Sequence, residues 1–210
     1  MPELAVLDEL MTDFMTARDI GGGTLAVMRE GQVVYQRGFG WRDAARTEPM
    51  PPDAMMRLAS VSKPITAAAI RELIDDGLLT LDTPAFEVGQ GGGVLELEPF
   101  PSLGDLRLAN VTIDHLLDHR GGWDRDIAGD LTYREVLVAG DMGIPSPPGR
   151  EATVRWILGQ PLQHAPGTEY AYSNIGSLVL GLVVEELAGM PLLEFVHERV
   201  FGPLGVPETD

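Results

Sequence analysis

The chain has 210 residues, 44% of them hydrophobic, and a formal net charge of −17. That length suits one or two domains, and that apolar content supplies a core, which excludes wholesale disorder. So acidic a surface repels nucleic acid and anionic membrane with no basic cluster to offset it, and the lack of cysteine excludes disulfides, thiolate catalysis and zinc–thiolate sites.

The first residues, Met-Pro-Glu-Leu-Ala-Val-Leu-Asp-Glu, have no basic n-region and no cleavage site. No apolar run reaches membrane-spanning length. As written, the chain is expected to be soluble and cytoplasmic. A periplasmic or secreted protein whose leader had been removed would read the same way.

Within 3–18, Leu4, Leu7, Leu10, Met11, Phe14 and Met15 recur at helical spacing and predict an amphipathic helix. Gly21-Gly22-Gly23 ends it. These glycines precede no helix, so they read as a turn and not as a phosphate cradle. Thr24–Arg29 and Gln32–Trp41 are β-rich runs around Glu30-Gly31, a hairpin with a tight turn. Gly38 and Gly40 in its second strand point to close backbone packing.

A proline-rich passage at 49–52 leads to Arg57-Leu-Ala-Ser-Val-Ser-Lys-Pro-Ile-Thr-Ala-Ala-Ala-Ile70. A helix runs from here to about Asp76, capped by Gly77. Lys63 is the only lysine in the sequence; the other fourteen cations are arginine. Where a fixed charge would serve the chain uses Arg, and at one position it uses the cation that can release a proton. Ser60 lies three residues before Lys63, nearly one helical turn, so the two share a face. A serine hydroxyl becomes an effective nucleophile when a neighbouring base takes its proton. A helix N-terminus adds positive potential and free N–H groups for an oxyanion. The plainer reading is a surface lysine at an ordinary helix start. Pro64 sharpens the question: it favours the first helical turn and biases Lys63 away from helical geometry. General rules therefore start the helix near Pro64, whereas the catalytic reading needs the turn 60–63 to be helical already.

From Pro84 to Asn110 glycines and prolines mark a loop excursion. Thr112–His119 reads as a short helix with Thr112 as N-cap. His115 and His119 lie four apart on it, the spacing of a metal-binding pair. No Glu follows His115 and no third ligand is evident, so hydrogen-bonded histidines are the reading and no metal is expected. Residues 131–139 and 150–158 predict two short helices separated by Pro145, Pro147, Pro148 and Gly149. A loop from Pro166-Gly167 ends in Tyr170-Ala-Tyr-Ser-Asn174. A long apolar helix at about 175–188, capped by Gly189, and a last helix at 191–200 complete the chain.

Tyr172-Ser-Asn174 sits at a loop-to-helix junction. A tyrosine there can accept or donate a proton if an ammonium lowers its pKa. An asparagine amide can hold both a substrate carbonyl and a lysine. The plainer readings are Asn174 as an N-cap and Tyr172 as a core aromatic with a polar tip.

Together, Ser60-Val-Ser-Lys63 and Tyr172-Ser-Asn174 resemble the serine β-lactamase and DD-peptidase superfamily, in its class C-like branch with esterases and D-aminopeptidases. Leu25–Trp41 is similar to that family's opening hairpin and Arg57–Leu81 to its nucleophile helix. Thr112–Trp123, with Leu116-Leu-Asp-His119 and Gly121-Gly122, and Ala165–Val206, through Pro203-Leu-Gly205, resemble further family segments. The resemblance implies an α/β (α+β) fold: one β-lactamase/transpeptidase-like catalytic domain over 1–210, helical, with an incomplete antiparallel sheet. It implies Ser60 as the acylated nucleophile and Lys63 and Tyr172 as the groups sharing acid and base work. It leaves open which of those two acts first. Asn174 would bind substrate, and the Ser60 N–H would supply half of an oxyanion hole. No cofactor is implied, and the partner is a small ester, amide or β-lactam.

The family's third motif, Lys or His, then Ser or Thr, then Gly, has no match after Asn174, and His119-Arg-Gly121 comes too early for it. The chain therefore looks like the amino-terminal part of a family member, truncated at its C-terminus. The hairpin would keep an unpaired edge through which copies could self-associate. Two functions follow: a serine hydrolase working through an acyl-serine, or a non-catalytic module that needs a C-terminal segment or partner.

Overall fold

The computed structural model describes residues 4–88 and 92–206. They form two units, one within residues 4–58 and one within residues 59–206.

In the first unit, helix α1 (Val6–Ala17) leads into strands β1 (Gly22–Arg29) and β2 (Gln32–Gly40). The strands pair antiparallel from Gly22↔Gly40 to Arg29↔Gln32. Glu30 and Gly31 both take positive φ, 51° and 76°. A two-residue turn needs that twist to match its strands, and glycine makes half of it cheap. The register slips once, between Val27 and Met28, a bulge beside the turn. Asp8 of α1 accepts a hydrogen bond from the Tyr35 hydroxyl and pairs with Arg37 at 2.6 Å, which ties the helix to β2. A side chain at Gly38 would collide with the Met50 carbonyl, so the expected close backbone approach is present. Among the described residues the sheet has these two strands alone, and each is an edge.

The second unit is helical: α2 (Ser62–Asp75), α3 (Ile113–Leu117), α4 (Arg125–Ala128), α5 (Glu135–Met142), α6 (Arg150–Leu158), α7 (Asn174–Ala188) and α8 (Leu192–Phe195). Apolar on nearly every side, α7 must lie at the centre. It packs on α2, α3, α6 and α8. Val179, Val183 and Val184 of α7, Ile70 of α2, Ile113 of α3 and Ile157 of α6 are fully buried. Each such side chain contributes about 1.5–3 kcal/mol by leaving water. At Gly176 an added Cβ would lie 2.9 Å from the Leu116 carbonyl, so a bare backbone brings the start of α7 onto α3. No described helix is long and apolar enough to cross a membrane.

Several boundaries differ from those the sequence predicts. The residues expected as one helix at 131–139 form a 3₁₀ turn, Leu131–Tyr133, and then α5. Asp130 is the reason: its carboxylate accepts from the Thr132 N–H and hydroxyl and closes a separate turn first. The last helix turns from α to π geometry over Val196–Phe201. Residues 84–88 and 92–105 have no regular structure, yet Ala85, Phe86 and Leu95 sit in the core. Backbone bonds from Phe100 to Arg155 and from Gly104 to Leu158 fasten this strap to α6.

Candidate active site

Ser60 lies in a 3₁₀ turn, Ala59–Val61, that runs directly into α2 at Ser62. This resolves the tension around Pro64. The proline occupies the first turn of α2, where no N–H is required of it, and the preceding turn supplies the remaining winding. Lys63 Nζ donates to Ser60 Oγ at 3.1 Å. Ala59 has φ of 47°, a left-handed conformation that costs a non-glycine residue roughly 1 kcal/mol. The residue before Ser60 is thus held under backbone strain.

The other half of the site comes from the start of α7. Ser173, not Asn174, is the N-cap: its Oγ accepts from the Ile175 N–H at 3.1 Å. That corrects the capping role considered for Asn174 and leaves its amide free for other partners. Asn174 Oδ1 accepts from Lys63 Nζ at 2.7 Å. Asn174 Nδ2 donates to Asp130 Oδ2 at 2.7 Å. Tyr172 Oη and Ser60 Oγ are 2.7 Å apart. The four residues singled out in the sequence, separated by more than one hundred positions, thus form one hydrogen-bonded chain.

Charge concentrates on Tyr172. The Lys63 ammonium lies 4.9 Å from its ring centroid and the Arg125 guanidinium 4.8 Å. The ammonium, and then the Ser60 hydroxyl, hold the Tyr172 phenol below its usual range against an opposing effect of burial. A chain of net charge −17 therefore gathers two cations around one tyrosine. Asp124 positions Arg125 by capping α4 through the Asp126 N–H at 2.8 Å.

The two histidines have partners other than a metal. His115 completes a capping box with Thr112 at the start of α3, which confirms Thr112 as the cap. His119 leaves α3 and lies against Tyr172, with ring centroids 4.7 Å apart. Gly122 takes φ of 102°, and a Cβ there would lie 2.7 Å from the His164 carbonyl. Two sequence-distant loops meet at that glycine.

Asp130 and Arg125 are the site residues the sequence reading passed over. Asp130 carried a local signal, an acidic residue two before Thr132 in a turn. Its reach to Asn174 is a tertiary contact. Arg125 carried none. Beside the chain of polar groups a cleft of about 320 Å³ opens, lined by Thr132, Tyr133, Pro148, Arg150, Asn174 and Leu178.

With the fold and this geometry established, comparison with known proteins identifies the lineage. The Beta-lactamase family model matches residues 7–210, and the chain belongs to that family. It is 34% identical over 210 residues to esterase EstB of Burkholderia gladioli, covering 96% of this chain and 50% of EstB. It is 27% identical over 193 residues to penicillin-binding protein 4* of Bacillus subtilis strain 168, covering 89% of this chain and 37% of that protein. Among solved structures, the octameric penicillin-binding protein homologue from Pyrococcus abyssi superimposes with a TM-score of 0.73 at 27% identity, over 96% of this chain and 43% of that one. The chain spans half the length of EstB and less of the other two. The fold is the β-lactamase/transpeptidase type expected from the motifs.

Proposed function

We propose that the protein is a serine hydrolase that forms an acyl-serine intermediate on Ser60 and acts on carboxylic esters. One observation carries the reading: Ser60 Oγ bonds at once to Tyr172 Oη, 2.7 Å away, and to Lys63 Nζ, 3.1 Å away. The hydroxyl has one proton to give. With Tyr172 ionised and the lysine donating to Oγ, that proton has the phenolate oxygen within reach.

Tyr172, its phenol held below the usual range, would act as the phenolate and take the Ser60 proton, becoming a neutral phenol as Oγ attacks the substrate carbonyl carbon. Lys63 would remain an ammonium and stabilise the phenolate and the attacking oxygen. The carbonyl π electrons would move to oxygen, and the Ser60 N–H would help to hold that oxyanion. Collapse would expel the alcohol, which would take the proton from Tyr172. Water would then attack the acyl-serine by the same route in reverse, releasing the acid and restoring the Ser60 hydroxyl. Asn174, which reaches Lys63 and lines the cleft, would hold the substrate carbonyl and orient the acyl group. The choice of ester over amide or β-lactam is supported by the 34% identity to an esterase.

A second reading is favoured by the hairpin, whose two strands are both edges among the described residues: a module that another segment completes. Intact mass after exposure to a fluorophosphonate separates the two, with Ser60→Ala alongside. One adduct, lost in the variant, is expected, together with faster turnover of p-nitrophenyl butyrate than of nitrocefin. A folded sample that takes no adduct would overturn the hydrolase reading for this chain and support the module. Nitrocefin turnover exceeding ester turnover would overturn the choice of ester.

A further inference from the structure

His119 takes no part in the reaction just described, yet it is fastened to Tyr172 from three directions. Its carbonyl accepts from the Ala171 N–H at 2.9 Å. Its Nδ1 accepts from the Ser173 N–H at 3.3 Å. Its ring lies tilted by 38° against the Tyr172 ring, centroids 4.7 Å apart, and meets Tyr170 edge-on at 5.9 Å. One residue thus holds the backbone on both sides of the tyrosine and one face of its ring.

The backbone of His119 is itself unusual. It follows the end of α3 with φ of 56°. Glycine ordinarily fills such a helix-terminating position because it pays nothing for left-handed geometry. A histidine kept there at a conformational cost is a hint of function.

We infer that His119 is a positioning residue for Tyr172, clamping residues 171–173 through its carbonyl and its neutral Nδ1 so that the phenol oxygen stays in register with Ser60. The inference rests on the proposed role of Tyr172. Phenol and serine oxygens must meet within hydrogen-bond reach for proton transfer, and a displacement of about 1 Å can cost ~10²-fold in rate. Tyr172 stands in a loop just before α7, with no regular structure of its own to hold it.

The clamp works with Nδ1 unprotonated, since a protonated nitrogen cannot accept from the Ser173 N–H. The charged and titratable groups facing His119 are Lys63 of α2, its neighbour Asp118, and Tyr170 and Tyr172. Burial first, and then the Lys63 charge, hold His119 below its ordinary value, opposed by the Ser173 N–H and Asp118. Its surroundings therefore favour the neutral form.

Two substitutions separate the clamp from simple folding. His119→Asn tolerates left-handed geometry and keeps a side-chain acceptor. His119→Gly removes the acceptor without adding strain. Two readouts are taken on the whole chain: ultraviolet titration of Tyr172, as the difference from Tyr172→Phe, and the fluorophosphonate labelling rate against pH. The Asn variant is expected to stay within about threefold of wild type. The Gly variant is expected to label about 10–100-fold more slowly and to shift the Tyr172 titration, while circular dichroism shows it folded. A folded Gly variant equal to wild type would overturn the clamp, as would equal losses in Gly and Asn.

Should the Gly variant not fold, the wild-type profile decides. His119 is held below the ordinary histidine range, so at pH values under that range, where it takes a proton, the labelling rate should fall more steeply than Tyr172 alone dictates. His119→Asn should lose that extra steepness, and its persistence there would overturn the inference. If wild type takes no label at all, the hydrolase reading fails by itself. The Tyr172 titrations of the Asn and Gly variants still test the clamp, and identical titrations in a folded Gly variant and in wild type would refute it.

Discussion

Asp130 decides which way the Asn174 amide faces. Its Oδ2 accepts from Asn174 Nδ2 at 2.7 Å, and this turns Asn174 Oδ1 to Lys63 Nζ at 2.7 Å. An amide flipped about its last torsion would aim a donor at the ammonium and an acceptor at the carboxylate, two repulsive pairs in place of two attractive ones. The other oxygen of Asp130 is held by Thr132 through its N–H and its hydroxyl, so the carboxylate does not swing.

Asp130→Ala is therefore predicted to release the amide and, through it, Lys63. Labelling of Ser60 should slow by about 10–100-fold, in line with the cost of small misplacements at a reacting centre. Circular dichroism should stay unchanged, because Asp130 is only partly buried. A double-mutant cycle with Asn174→Ala checks the route: the two losses should be far from additive.

Lys63→Met is predicted to raise the Tyr172 pKa toward its ordinary value near 10, because the ammonium is the largest influence holding it down. The sign follows from the charge: a cation favours the phenolate, and its removal favours the phenol. Ultraviolet titration should show the Tyr172 transition moved to higher pH. An unmoved transition would take Lys63 out of the argument for a tyrosine base.

Asp105 should control part of the acid stability. The Arg107 guanidinium, helped by the backbone N–H groups of Arg107 and Leu162, holds its carboxyl at about 2. An unfolded aspartate sits near 3.9. The folded value is the lower one, so this stabilisation is complete above about pH 4 and is lost as pH falls toward 2. Arg107 is partly exposed, so solvent screens the pair and the effect is on the order of 1–2 kcal/mol. Urea midpoints of wild type and Asp105→Asn should differ at pH 5 and converge near pH 2.

The helices were legible where periodicity and stop signals agreed. For α2, α6 and α7 the apolar spacing and the caps Gly77 and Gly189 put the boundaries within about two residues. They were less legible where a side chain intervened: Asp130 split one predicted helix, and Ser173 took the cap that Asn174 could equally have filled. In the strap after Pro84, backbone irregularity was readable from the glycines and prolines. Burial of Phe86 and Leu95 was not, because their partners lie far along the chain.

Read alone, the sequence determined the chemistry available to this protein: one lysine, a serine three before it, and a tyrosine and asparagine at a helix start. Those are covalent facts, and local spacing suffices to put Ser60 and Lys63 on one turn. The tertiary structure decided how that chemistry is assembled. Only the packing of α7 on α2 and α3 brings Tyr172 to Ser60, Asn174 to Lys63, and Asp130 and His119 to their service. A hydrogen bond across more than one hundred residues depends on where buried apolar faces meet, and no local pattern in the chain encodes that distance.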